Sequence, residues 1–190
     1  MLTVPNALTL LRIFLVPFFL VASMRGMFTA AFVIFVSAAV TDIFDGMIAR
    51  RFNQRSRLGA ILDPAADKTM LVCGFAYYTF GVTPRLPLPG WLTFTVFIRD
   101  FLIITFAYLL YTRVRVNRFP PSWAGKTSTV LQAVTLASTI AVNAFLPSIR
   151  PFVEVLFRIA LVVTLYSSWD YLRRGEQLLY DGLTRAIQPK

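Results

Sequence analysis

The chain has no histidine among its 190 residues and a single cysteine, Cys73, inside an apolar stretch. Without an imidazole there is no histidine general base, no phosphohistidine intermediate, no Ser-His-Asp triad and no His-ligated metal. One thiol closes no intramolecular disulfide, so cysteine usage says nothing about redox compartment. Acidic residues are also few: 9 Asp and Glu stand against 19 Lys and Arg, for a net charge of +10. No internal repeat and no low-complexity segment is visible.

Apolar residues dominate what is there. Hydrophobic residues make up 57% of the chain and mean hydropathy is +0.66. That is too apolar for an ordinary soluble domain, and the apolar stretches are of bilayer-crossing length. The expected fold is all-α: one polytopic membrane domain over 1–190, with six spans near 7–24, 28–49, 59–82, 91–112, 125–146 and 152–171. The first stretch lacks a basic leader and carries Arg12 and Pro17, so it reads as a retained span, not a signal peptide. Turn residues or charges fill each break, such as Arg25-Gly26 and the three prolines between Pro84 and Gly90. The tail 175–190 is expected to form a short surface helix or to be disordered.

Positive charge sets the orientation. Arg50, Arg51, Arg55, Arg57, Arg113, Arg115, Arg118, Lys126, Arg173, Arg174, Arg185 and Lys190 fall on one side. Only Arg25, Arg85 and Arg150 fall on the other. The positive-inside rule puts the first set, with both termini, in the cytoplasm, as in a bacterial inner-membrane protein. Such loops attract anionic lipid headgroups, a better use of the basic charge than nucleic acid, which is not an expected partner. Within the spans stand Arg12, Lys68, Arg99 and Arg158; Arg158 is expected to pair with Glu154 four residues away.

Four acids lie inside this apolar pattern: Asp42, Asp45, Asp63 and Asp67. A carboxylate at a helix centre in a bilayer costs roughly 2.5–3.5 kcal/mol, so four at full depth cost on the order of 10 kcal/mol. A metal, a counter-charge or a water-filled cavity must offset that. Asp42 and Asp45 are i,i+3, Asp63 and Asp67 are i,i+4, and each pair shares a helix face. The orientation puts both pairs near the cytoplasmic face, where two adjacent antiparallel helices bring them to one spot. Carboxylates without His or Cys suit Mg²⁺, Mn²⁺ or Ca²⁺. Two such ions about 4 Å apart are the usual clamp for displacement at phosphorus. A carboxylate not committed to metal can take the proton of an attacking hydroxyl. Gly46, Ala49 and Gly59 give room either for a ligand or for helix packing. Arg50 is either a phosphate clamp or a positive-inside anchor.

The run Asp42-x2-Asp45-Gly46-x2-Ala49-Arg50-x8-Gly59-x3-Asp63-x3-Asp67 carries eight fixed residues over 26 positions. It resembles, without departure, the signature of the CDP-alcohol phosphotransferase family. The start, Pro5-Asn6-Ala7-Leu8-Thr9-Leu10-Leu11-Arg12, is similar to the glycerolipid branch. The resemblance implies a six-helix enzyme, usually a homodimer, with a polar cavity toward the cytoplasm. It implies CDP-diacylglycerol as donor and a glycerol-type acceptor, with membrane lipid around the protein. By the same resemblance Asp42, Asp45, Asp63 and Asp67 hold two Mg²⁺ or Mn²⁺ ions, Asp67 also acts as the base, and Gly46, Ala49, Arg50 and Gly59 hold the CMP portion.

Two further patches bear on the acceptor. Arg99, beside Asp100, and Lys126 are candidates for an anionic headgroup, against structural readings as a partner for Asp100 or the signature acids and as an interfacial lysine. Ser122-Trp123-x-Gly125-Lys126-x2-Thr129-x2-Gln132 resembles the phosphatidylglycerophosphate synthases, which use glycerol 3-phosphate. Those enzymes typically carry Arg-Glu where this chain has Arg99-Asp100, and a second arginine where it has Ala107. Both departures resemble the CMP-forming cardiolipin synthases, whose acceptor is phosphatidylglycerol. Glycerol 3-phosphate is narrowly favoured. An ion or proton transporter is the rival from another class, but such proteins tend to show broken helices and repeated halves.

Overall fold

The computed structural model describes the backbone of residues 4–52, 59–114 and 122–187, and the side chains within 10–41, 68–106 and 122–176. Among the described residues there are six α-helices, one short 3₁₀ helix and no strand: α1 Val4–Met24, α2 Phe28–Phe52, α3 Gly59–Phe80, α4 Gly90–Val114, α5 Trp123–Ala144, the 3₁₀ turn Pro147–Ile149, and α6 Arg150–Ile187. Each α-helix covers one of the six apolar stretches. Among the described residues no helix is long and apolar enough to cross a membrane.

The chain divides into two compact units. The first comprises residues 1–88 and 133–154: α1, α2, α3, the second half of α5 and the first residues of α6. α1 packs against both α2 and α3. The α1–α2 turn is closed by Gly26, at φ 70°, just past the helix end. Gly26 N–H donates to Ser23 O at 3.0 Å and Met27 N–H to Ala22 O at 2.9 Å. This is the 5→2 and 6→1 pair of a Schellman cap, which needs a left-handed residue and so selects glycine. Beside it sits Tyr78, fully buried, with its ring 6.4 Å from Phe19 and 6.2 Å from Phe28. Tyr77 Oη donates to Ser23 O at 2.9 Å and also meets the Thr83 hydroxyl.

These contacts bring together the end of α1, the start of α2 and the end of α3. α1 and α3 therefore run the same way, and α2 runs against both. Across the same unit, Phe32 of α2 meets Phe145, after α5, edge to face at 5.1 Å.

The second unit comprises residues 89–132 and 155–190: α4, the first half of α5 and most of α6. Its interior is partly polar. Ser128, Gln132, Thr164 and Ser167 are buried, as are Leu92, Val96 and Phe157. Gln132 Nε2 donates to Ser128 Oγ at 3.2 Å and Thr164 Oγ1 at 3.4 Å, tying α5 to α6 through hydroxyls. α6 runs on unbroken through the tail to Ile187, where a separate surface helix or disorder was expected. No proline interrupts it after Pro151, and Gly175 is a close-packing position, since a Cβ there would lie 2.7 Å from the Phe106 ring. Glu154 pairs with Arg150 at 2.8 Å instead of with Arg158. Both arginines are four residues away and exposed, so spacing alone left either partner open.

Candidate active site

Two helices of the first unit carry the acidic signature. Asp42, Asp45, Gly46, Ala49 and Arg50 lie on the last third of α2, and Gly59 opens α3 ahead of Asp63 and Asp67. Their side chains lie outside the described residues, but the backbone fixes their level. Phe28 and Tyr78, in ring contact, are a common origin. At about 1.5 Å per residue, Asp42 and Asp45 stand roughly 21 and 26 Å along α2 from it. Counted back along α3 on the same rise, Asp67 and Asp63 stand roughly 17 and 23 Å from it. The pairs overlap in level on helices running in opposite senses. The donor set is oxygen alone, which fits a hard divalent cation such as Mg²⁺ or Mn²⁺. Among the described side chains no cluster of three or more Cys, Asp or Glu gathers.

Arg99 and Lys126 belong to the second unit, and the structure treats them differently. Ser122 caps α5: its Oγ accepts from Gly125 N–H at 2.9 Å, and its carbonyl takes the first helical bond, from Lys126 N–H at 3.1 Å. Gly125, thus fixed in the first turn, lies against Arg99. A Cβ at position 125 would stand 3.0 Å from the Tyr171 ring and 3.2 Å from Arg99 Nη2. Arg99 is 3% exposed. It donates to Asp100 Oδ1 at 2.9 Å, to Gly125 O at 3.3 Å and to Ser167 Oγ at 3.2 Å. Its guanidinium lies 5.7 Å from the centre of the Tyr171 ring. Lys126, one residue beyond Gly125, is exposed with its ammonium 5.3 Å from the Trp123 ring centre.

The Arg99–Asp100 pair joins consecutive helical residues, whose side chains leave the helix about 100° apart. The long arginine stem bends to bridge that angle. Sequence reasoning named Asp100 as a possible partner and missed the α6 contributions, Ser167 and Tyr171. Their i,i+4 spacing put them on one face, but nothing in the sequence said that the face meets α4.

A helical enzyme is the class these features point to: in the first unit, acids at one level on two opposed helices; in the second, a buried arginine held in a fixed orientation. The chain belongs to the CDP-alcohol phosphatidyltransferase family, whose model matches residues 2–166. It is similar to the CDP-diacylglycerol–glycerol-3-phosphate 3-phosphatidyltransferase of Escherichia coli strain K12, 36% identical over 191 residues, covering 94% of this chain and 97% of that one. The proteins of the same name from Shigella flexneri serotype 5b and Shigella sonnei strain Ss046 match it to the same extent.

Proposed function

We propose that this protein is a phosphatidylglycerophosphate synthase, transferring a phosphatidyl group from CDP-diacylglycerol to glycerol 3-phosphate with release of CMP. The observation that carries the reading is the complete signature on α2 and α3 at one level, in a chain 36% identical to relatives named for this reaction.

In this reading Asp42, Asp45, Asp63 and Asp67 hold two Mg²⁺ or Mn²⁺ ions. When bound, these ions would offset charge on the diphosphate and the leaving phosphate. Gly46, Ala49 and Gly59 leave space along α2 and α3 for the CMP portion, and Arg50 pairs with its phosphate. Asp67 takes the proton of the acceptor hydroxyl as its oxygen attacks the phosphorus bearing the lipid. One P–O bond forms to the acceptor and one breaks to CMP, so the lipid phosphate changes partner without a redox step. Arg99, with Lys126 near the entrance of α5, binds the acceptor's phosphate.

The membrane is part of the proposal. Phe14, Phe18, Val33, Phe94, Ile98, Phe101, Ile104, Val130 and Val162 are exposed, while polar side chains such as Ser128, Gln132, Thr135 and Thr164 are buried. A monomer in water rarely shows so much apolar surface. The apolar runs of α1 to α4 also continue into residues whose side chains lie outside the described set. The pairs Lys126–Trp123 and Arg173–Trp169 suit an interfacial belt on the cytoplasmic side. A homodimer in the bacterial inner membrane completes the picture.

One observation favours a second acceptor. Asp100 compensates the charge of Arg99, and Ala107 stands where glycerol 3-phosphate enzymes typically carry another arginine. Phosphatidylglycerol, with less charge on its phosphate, would need less cation. The deciding assay offers labelled glycerol 3-phosphate and phosphatidylglycerol side by side with CDP-diacylglycerol and identifies the lipid formed. Phosphatidylglycerophosphate is the expected product; cardiolipin alone overturns the acceptor. No CMP release with either would leave the transporter reading.

A further inference from the structure

We infer that Ser167, on α6, holds the acceptor's phosphate together with Arg99. The inference rests on the transfer to glycerol 3-phosphate proposed above and adds a binding residue to it from a helix outside the family signature.

Arg99 is fixed more firmly than charge balance requires. Asp100 alone supplies the counter-charge, at 2.9 Å. Gly125 O and Ser167 Oγ, both on Nη2, and the Tyr171 ring add no full negative charge; they fix the plane of the guanidinium. Orientation matters for an arginine that must present N–H groups to an oxyanion and matters little for one that only neutralises a neighbour. Nε of Arg99 is buried and has no hydrogen-bond partner among the described residues.

Ser167 is fully buried, and its hydroxyl accepts from Arg99. Among the described residues that is its only hydrogen bond, so its own O–H proton is uncommitted. The next residue shows the usual alternative: Ser168 donates to Thr164 O, one turn back, at 2.9 Å. Ser167 makes no such bond to its own helix. The cluster therefore holds two unspent buried donors, Nε–H on α4 and Oγ–H on α6, and such donors are costly to leave unmatched. The Nη2–H···Oγ bond also polarises the serine hydroxyl and strengthens it as a donor. A phosphate has several acceptor oxygens and can take both.

The test uses the full-length protein in mixed micelles with CDP-diacylglycerol. Ser167→Ala is expected to raise KM for glycerol 3-phosphate about tenfold or more, the usual range for losing a hydrogen bond to a charged group. Its kcat and its KM for CDP-diacylglycerol stay within about twofold, since uniform binding is what is lost. Ser167→Thr, which keeps the hydroxyl, stays within about threefold of the wild type on the same reasoning. Where Ser167→Ala does not fold, Ser167→Cys, near serine in size and a weak donor, serves in its place with the same expected rise. An unchanged KM for glycerol 3-phosphate in the alanine or cysteine variant overturns the inference. So does an equal loss in the alanine and threonine variants, which marks a packing role. Wild-type turnover of glycerol 3-phosphate separates the two levels: if it is absent, the function reading falls and this inference with it. If it is present, the variants judge Ser167 alone.

Discussion

Asn143 grips the backbone of Leu86 at both ends of its side-chain amide: Oδ1 accepts from Leu86 N–H at 3.0 Å and Nδ2 donates to Leu86 O at 3.0 Å. The same side chain accepts from Arg85 N–H at 2.7 Å and donates to Thr139 O at 2.8 Å, so its hydrogen-bonding capacity is filled. It pins the segment after α3 to the end of α5 within the first unit. Asn143→Leu keeps the volume and strands these partners. Expected is a loss of roughly 3 kcal/mol, given about 1–3 kcal/mol for each buried group left unsatisfied and partial relaxation. A drop in thermal midpoint with unchanged KM in the surviving fraction checks it.

Asp67→Asn keeps the shape of the side chain and removes its basicity. Expected is a fall in CMP release of about 10²–10⁴-fold, the span for a lost general base. Thermal midpoint should hold, because a carboxamide is cheaper than a carboxylate in an apolar setting. Asp42→Ala, Asp45→Ala and Asp63→Ala should each abolish metal-stimulated turnover. CMP release with labelled donor measures all four.

Chelation gives an independent check. EDTA should stop CMP release, and added Mg²⁺ or Mn²⁺ should restore it, because the acidic set offers only hard oxygen donors. Persistent turnover in chelator would count against the metal reading while leaving the family assignment untouched.

Gly125→Ala sets a Cβ 3.0 Å from the Tyr171 ring, 3.2 Å from Arg99 Nη2 and 3.2 Å from Ser122 Oγ. Three neighbours must yield at once, and the oriented guanidinium is one of them. Expected is a KM for glycerol 3-phosphate raised about fivefold or more, with KM for CDP-diacylglycerol unchanged. Steady-state kinetics with each substrate varied in turn decides it.

Gly26→Ala tests the fold without touching the site. At φ 70° an L side chain is strained, while the space around the position is open. A loss of about 1 kcal/mol is expected from the left-handed backbone, seen as a lower thermal midpoint with both KM values unchanged.

Much of this was legible in the chain. Apolar runs and their breaks gave six helices with close limits, because a helix end needs a turn residue and Gly26 announces one. Eight spaced residues named the family, because metal and nucleotide chemistry needs those side chains at that spacing. The extension of α6 through the tail was not legible, since good helix formers next to a glycine suit either a continuous helix or a break. The partner of Glu154 was not legible either, because arginines stand four residues to each side of it.

Sequence alone determined the helical architecture, the acidic signature and the family, since all three are written in local periodicity and fixed spacing. The opposed senses of α2 and α3, with their acids at one level, were already implied by the charge pattern; tertiary structure alone decided that Arg99 is buried among Asp100, Gly125, Ser167 and Tyr171, and that Lys126 lies out on Trp123. Those facts depend on which helix faces meet. Burial and hydrogen-bond satisfaction select those faces among residues far apart in the chain, and no spacing rule reaches that far.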